Sequence, residues 1–254
     1  MPQRFTFFHG LQRGLLGVSL LALAATTGCK TELEPGLETG AAYYPVEVGT
    51  YRIYNVIDST WNSNVIGVTR YQFRERITES FTDAAGKLAY RVVRSRRTLT
   101  TDAWKDDSVM QVNPSMQTVL LTRNNRRTVE LVFPVQEGTS WNRDAYNTLD
   151  TVTFHNRSYV RAGQPFDATT NGQTVHYEQT VTTEDSGVNS EGQTIDDGIL
   201  QVAKFRQVYA RNVGLVYRVR RRYFYCPVGA CVPNKSYIYL GRVRSETLVE
   251  SGKL

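Results

Sequence analysis

The stretch GVTRYQFRERITESF, residues 67–81, alternates along its length. Tyr71, Phe73 and Ile77 share one side, while Arg70, Gln72, Arg74 and Arg76 share the other. Successive side chains of a strand point to opposite faces, so the pattern reads as a strand with one buried and one solvated face. DAAGK (83–87) follows as a turn, and LAYRVVRSRRTLT (88–100) as the returning strand. The same signal recurs in TYRIYNVID (50–58), DSVMQVN (107–113), QTVLLTR (117–123) and RTVELVFP (127–134). It recurs again in DTVTFHNRSYV (150–160), TVHYEQTVTTE (174–184) and LQVAKFRQVYA (200–210). Asn113-Pro114 and Asn171-Gly172 supply turn signals between them. After residue 45 no amphipathic pattern lasts beyond a helical turn or two. The expectation is an all-β fold: one antiparallel, strongly curved sheet that forms a half-barrel, a barrel or a sandwich-like body.

YFYCPVGACVPNK (223–235) reads as the tip of a further hairpin. Pro227 and Gly229 form turns, and Cys226 and Cys231 are expected to join in a disulfide. If these cysteines face each other, Tyr217 meets Leu240, Val219 meets Ile238 and Tyr225 meets Val232 on an apolar face. On the other face Arg222 meets Lys235, Arg220 meets Tyr237 and Arg218 meets Tyr239. Arg221, opposite Ser236, is the one charged residue on the apolar side. The strip Arg218, Arg220, Arg222, Tyr237 and Tyr239 has two readings. It is a solvated sheet face shielded by long side chains, or a site for an anionic glycan or lipid head group.

The first 28 residues have a different character. Arg4 and Arg13 precede an apolar run, Leu15 to Ala25, with no acidic residue before Cys29. A basic head, a short apolar middle and small residues make a signal peptide, and the run is too short to span a bilayer. The end of LLALAATTGCK (20–30) resembles the lipobox of bacterial lipoproteins, in which the cysteine is acylated and becomes the first residue. Thr26 departs from the aliphatic residue usual there, and a simple signal peptide with an incidental cysteine is the alternative. By the same resemblance Lys30, in place of Asp, implies the outer membrane, and KTELE (30–34) resembles the charged export tags of surface lipoproteins. The expected organisation is a signal peptide (1–28), a polar tether (29–42) and a β domain (43–254). Removing residues 1–28 leaves 226 of the 254 residues and lowers the formal charge from +6 to +4, because two arginines go and no acid does. Export argues against nucleic acid as a partner.

Candidate chemistry is sparse. Zinc would need about four ligands, against two thiols with His155 and His176 after Cys29. The acidic loop EDSGVNSEGQTIDDG (184–198) carries Glu184, Asp185, Glu191, Asp196 and Asp197 but lacks the ladder of a known calcium loop. No serine sits in a nucleophile elbow beside either histidine. Asp106-Asp107 reads as a turn-flanking pair rather than half of a glycosidase site. No metal, cofactor or catalytic residue is expected.

Three stretches resemble a group of uncharacterised lipoproteins of the Bacteroidota: YYPVEVGTYRIYNV (43–56), FPVQEGTSWNRDAYN (133–147) and VYARNVGLVYRVRR (208–221). They occur in the same order, across most of the chain. The resemblance implies an envelope lipoprotein with a β-rich domain and carries no activity or site residues. Gly214 is expected to mark a bulge or bend. The expected role is non-enzymatic: an anchored β domain that binds a protein or surface polymer. The alternatives are a carrier holding a lipid or other apolar ligand in a curved sheet and, third, a hydrolase.

Overall fold

The computed structural model describes residues 40–147, 155–187, 201–225, 232 and 234–254. Cys29, Cys226, Cys231, the tether before Gly40 and residues 188–198 of the acidic loop lie outside them. The described barrel belongs to a compact unit, Glu38–Leu254.

Among the described residues the chain forms an antiparallel meander of twelve strands. The first half comprises β1 (Thr50–Asn62), β2 (Val65–Thr82), β3 (Leu88–Arg97), β4 (Lys105–Pro114), β5 (Thr118–Arg123) and β6 (Arg126–Val132). The second comprises β7 (Ser140–Asn142), β8 (His155–Thr170), β9 (Gln173–Gly187), β10 (Gln201–Ala210), β11 (Gly214–Phe224) and β12 (Leu240–Lys253). Within each half every strand pairs with the next, and β12 returns beside β1 to fuse the halves into one sheet ordered β6-β5-β4-β3-β2-β1-β12-β11-β10-β9-β8-β7.

β6 and β7 are the two edges of this sheet, yet only residues 133–139 separate them in sequence. The sheet therefore curls into a nearly closed barrel whose edges meet. Side chains carry much of this seam. The Val129 amide donates to the Arg143 carbonyl (2.8 Å), and the Trp141 indole donates to the Val129 carbonyl (3.1 Å). The Tyr159 hydroxyl donates to the Val132 carbonyl (2.7 Å) and accepts from its amide (3.0 Å). Closure removes the exposed edges that make open sheets prone to aggregate.

The two faces of β2 fall as the alternation dictates: Tyr71, Phe73 and Ile77 are buried, and Arg70 to Arg76 alternate on the other side. One pole of the interior is apolar, built from Tyr54, Ile77, Val92, Val112, Leu131 and Tyr209. The three stretches of the lipoprotein resemblance converge at this pole. Arg52 donates to the Pro45 carbonyl (2.9 Å) and to the Val213 carbonyl (2.8 Å), and lies against Gly214. Tyr44 packs on Tyr209, and a Cβ on Gly40 would meet Val135 at 2.6 Å. Gly214 opens β11 at φ +94°, and the extra residue of the following bulge is Val216, between the Tyr209–Leu215 and Val208–Tyr217 pairs.

The β8–β9 hairpin turns at Asn171-Gly172, both at positive φ, as a tight two-residue hairpin requires. Three register shifts bend β8, and the hairpin folds over the outside of the barrel. Phe166 packs on Tyr217 at 5.5 Å, and Asn55 reaches Thr170.

The hairpin register expected around Cys226 and Cys231 is corrected. β11 pairs with β12 so that Arg218 meets Glu246, Arg220 meets Arg244 and Arg222 meets Arg242. Leu240 meets Phe224 rather than Tyr217. Tyr237 and Tyr239 precede β12 and lie opposite neither Arg220 nor Arg218. The faces are inverted too: the even-numbered arginines point inward, and Arg221 shares the outer face with Tyr217 and Val219.

Leu131 is fully buried. Leu131→Ala should cost about 2–5 kcal/mol and lower the urea midpoint by the corresponding amount. An unchanged midpoint would mean that the apolar pole contributes little to closure.

Candidate functional site

A twelve-stranded barrel is wider than small aliphatic side chains can fill, since diameter grows with strand number. Long charged side chains occupy the middle of this one. Glu75 of β2 pairs with Arg94 of β3, and Glu246 of β12 pairs with Arg218 of β11. The cross-pairs are Arg94–Glu246 at 3.9 Å and Arg218–Glu75 at 3.6 Å, so the four charges form a closed, neutral ring. Burial alone would raise the Glu75 carboxyl, but Arg94 and Arg218 outweigh it and hold it at about 2. A second cluster ties the seam. Arg157, 1% exposed, reaches Glu130 at 3.1 Å and Asp185 at 2.5 Å, and Gln207 donates to Glu130 at 3.0 Å.

Beyond this belt the barrel opens into a mouth. One lobe, of about 240 Å³, is walled by Arg123, Arg218, Arg220, Arg222, Arg242 and Arg244, with Phe205 and a single carboxylate, Glu246. A second lobe, of about 350 Å³, shares Arg123, Phe205, Arg218 and Arg220 and adds Arg126, Arg143 and Arg157. Glu246 is already committed to the ring. Asp58 lies beneath Arg242 and Arg244 and accepts from both, and its carboxyl is held at about 2 because these bonds outweigh burial. Asp144 takes Arg126.

Three arginines remain without a carboxylate among the described residues: Arg123, Arg220 and Arg222. The best acceptor offered to Arg123 is the Met110 thioether, at 3.0 and 3.1 Å, and sulfur accepts weakly. Arg220 stacks over Phe205 at 4.6 Å, and Arg222 over Phe224 at 5.1 Å. Burial, followed by the like charges of Arg94 and Arg218, pushes Arg123 down to about 10. Burial, then Arg218 and Arg143, does the same to Arg220. Gln207, 2% exposed, lines the second lobe, and its Oε1 has no partner. Guanidinium forks hold carboxylate or phosphate oxygens in pairs, and the low dielectric of a barrel interior strengthens that attraction. Among the described residues, the lobes are lined by no histidine, cysteine or serine.

The structure thus brings Arg218, Arg220 and Arg222 together inside the barrel, and leaves Tyr237 and Tyr239 out of the group. Sequence reading missed Arg123, Arg242, Arg244 and Phe205, which come from distant strands. His155 binds the buried Asp144 (2.7 Å), while His176 sits on the exposed hairpin against Asp167 (2.5 Å). Asp106 accepts from Ser95 (2.7 Å) and Arg76 (3.0 Å), as a strand-end structural residue.

The chain matches no protein-family model and no curated protein. It is similar to a crystal structure from Bacteroides fragilis of a protein considered exported, with a YmcC-like fold. Identity is 11%, the TM-score is 0.41, and the match covers 83% of this chain and 98% of that one. At that distance nothing about function passes from one to the other.

Glu75→Gln leaves Arg94 and Arg218 short of a buried counter-charge, and should cost about 3–5 kcal/mol at pH 7. Because the folded Glu75 value lies below its ordinary 4.5, its stabilisation is present above that pH and fades as pH falls toward 2. Urea unfolding from pH 7 to pH 3 should therefore show a shallower acid decline in the variant. Parallel curves would count against the ring.

Proposed function

We propose that the protein is a non-enzymatic cell-envelope lipoprotein whose barrel mouth holds an anionic group of its ligand between arginines. On this reading it is anchored in the outer membrane through acylated Cys29, and Cys226 and Cys231 are joined in a disulfide. The observation that carries the binding function is the set Arg123, Arg220 and Arg222, which face one cavity with no carboxylate of their own. Cations gathered at such cost in mutual repulsion are stabilised by an anion from outside. The first alternative, a carrier of an apolar ligand, meets a geometric obstacle. The void in the apolar half of the barrel is about 40 Å³, close to the share of a single water and too small for an acyl chain.

The test uses the mature chain, residues 29–254, carrying Cys29→Ser so that it is free of lipid. Calorimetric titration with tripolyphosphate and with trigalacturonate should give binding that weakens as salt rises. Arg220→Gln should lower the affinity at least tenfold, about 1.4 kcal/mol. No heat from either anion, or an unaltered affinity in Arg220→Gln, would overturn the proposal.

The anchor has a separate expectation. Radiolabelled palmitate should enter the wild-type protein in cells and be absent from Cys29→Ser, and label retained by the variant would rule out acylation at that residue.

A further inference from the structure

Above the arginines, the wall of the mouth rises into a lip. The β1–β2 hairpin extends past Asp58, and its turn is held by residues that lead into β12. The Ser63 amide donates to the Tyr239 carbonyl (2.7 Å), the Asn64 amide to the Ile238 carbonyl (2.8 Å), and the Ile238 amide to the Asn64 side chain (3.1 Å). The tip is therefore a braced ribbon rather than a loose loop. Trp61 and Tyr223 meet edge to face at 5.2 Å across Gly241, where a Cβ would strike Tyr223 at 2.8 Å.

Both faces of this ribbon expose aliphatic side chains. On the inward phase Val65 is 71% exposed and Leu240 46%; on the outward phase Ile66 is 53% exposed and Val68 45%. Single exposed aliphatics are ordinary; here four lie at one end of the sheet, with Asn62 between Val65 and Leu240. A ligand wholly in water, such as a free acidic glycan, offers Val65 and Ile66 nothing, although the turn between the two strands is itself polar, Asn62-Ser63-Asn64. Aliphatic side chains flanking the outermost turn, a Trp–Tyr pair just below, and unpaired arginines below those form a sequence of depths. It matches the acyl region, the interface and the phosphates of a bilayer.

We infer that the mouth docks on a phosphate-bearing lipid surface, with Val65, Ile66 and Leu240 entering the bilayer while Arg220 and Arg222 take lipid phosphates. This rests on the anion-binding reading above and names the source of the anion. Trp61 and Tyr223 lie at the interface, where an apolar ring with a polar edge is best placed.

The same lipid-free mature chain is mixed with vesicles of phosphatidylcholine, alone or with phosphatidic acid, and floated on a gradient. It should float with the vesicles that contain phosphatidic acid and remain below with phosphatidylcholine alone. The double variant Val65→Ser/Ile66→Ser should bind those vesicles at least tenfold more weakly, with unchanged tripolyphosphate affinity and urea midpoint. Arg220→Gln should weaken both. Tripolyphosphate binding without vesicle binding would overturn the lipid inference and leave the anion site standing, and failure of both would remove the reading beneath it. Undiminished flotation of the lip variant would also overturn the inference. So would a dimer in light scattering that the lip variant abolishes, which would assign the lip to a second copy of this chain.

Discussion

The ring formed by Glu75, Arg94, Glu246 and Arg218 is the constraint on which the barrel depends. Twelve strands enclose more width than aliphatic side chains fill, and an empty centre would forfeit the contacts that hold a core together. Arginine and glutamate are long enough to reach across, but each brings a charge whose desolvation is expensive unless paired. Pairing them in a ring lets every charge meet two of opposite sign. The geometry then becomes exacting, because a slip of β11 against β12 would set Arg218 against a residue other than Glu246. A charge-paired buried network of this kind selects one register among several with similar apolar burial.

The belt also divides the interior into two regions with different chemistry. Below it, Tyr54, Ile77, Leu131 and their neighbours pack almost without space. Above it, the carboxylates run out while the arginines continue. Asp58 serves Arg242 and Arg244, Asp144 serves Arg126, and Arg123, Arg220 and Arg222 are left with sulfur and aromatic faces. Compensation is complete where the barrel must hold itself together and incomplete where it meets the outside. Phe205 sits at the boundary with Arg157 on one side and Arg220 on the other, at 5.3 and 4.6 Å, and so couples the satisfied layer to the unsatisfied one.

Much of the fold was legible in the alternation of residues 67–81 and its repeats, because those strands follow the rule that apolar side chains go inward. The rule failed where the interior is ionic. Residues 217–225 were sorted by placing tyrosine and valine inside and arginine outside, and the barrel does the reverse. Tyr217 is covered from outside by Phe166 of the β8–β9 hairpin, a contact no local pattern could announce. β12 went unmarked because the middle of its inward row, between Leu240 and Leu248, is Arg242, Arg244 and Glu246. One clue was available: Glu75 stands in phase with Tyr71, Phe73 and Ile77, so that strand carried a carboxylate on its buried face. The mouth itself draws on β5, β10, β11 and β12, and a cavity assembled from such distant segments leaves no spacing in the sequence.

The Leu254 amide donates to the Gly49 carbonyl, and Thr50 lies opposite Lys253, so the barrel's first and last strands begin and end together at the apolar pole. The described turns at the opposite end, such as Ser63-Asn64 and Asn124-Asn125, are tight hairpins at positive φ. Segments of this type accept insertion and substitution without disturbing the strands they join. Rim and frame can therefore diverge at separate rates: one ionic chassis can keep its closure while the lip and the arginines above the belt are rewritten for a different surface.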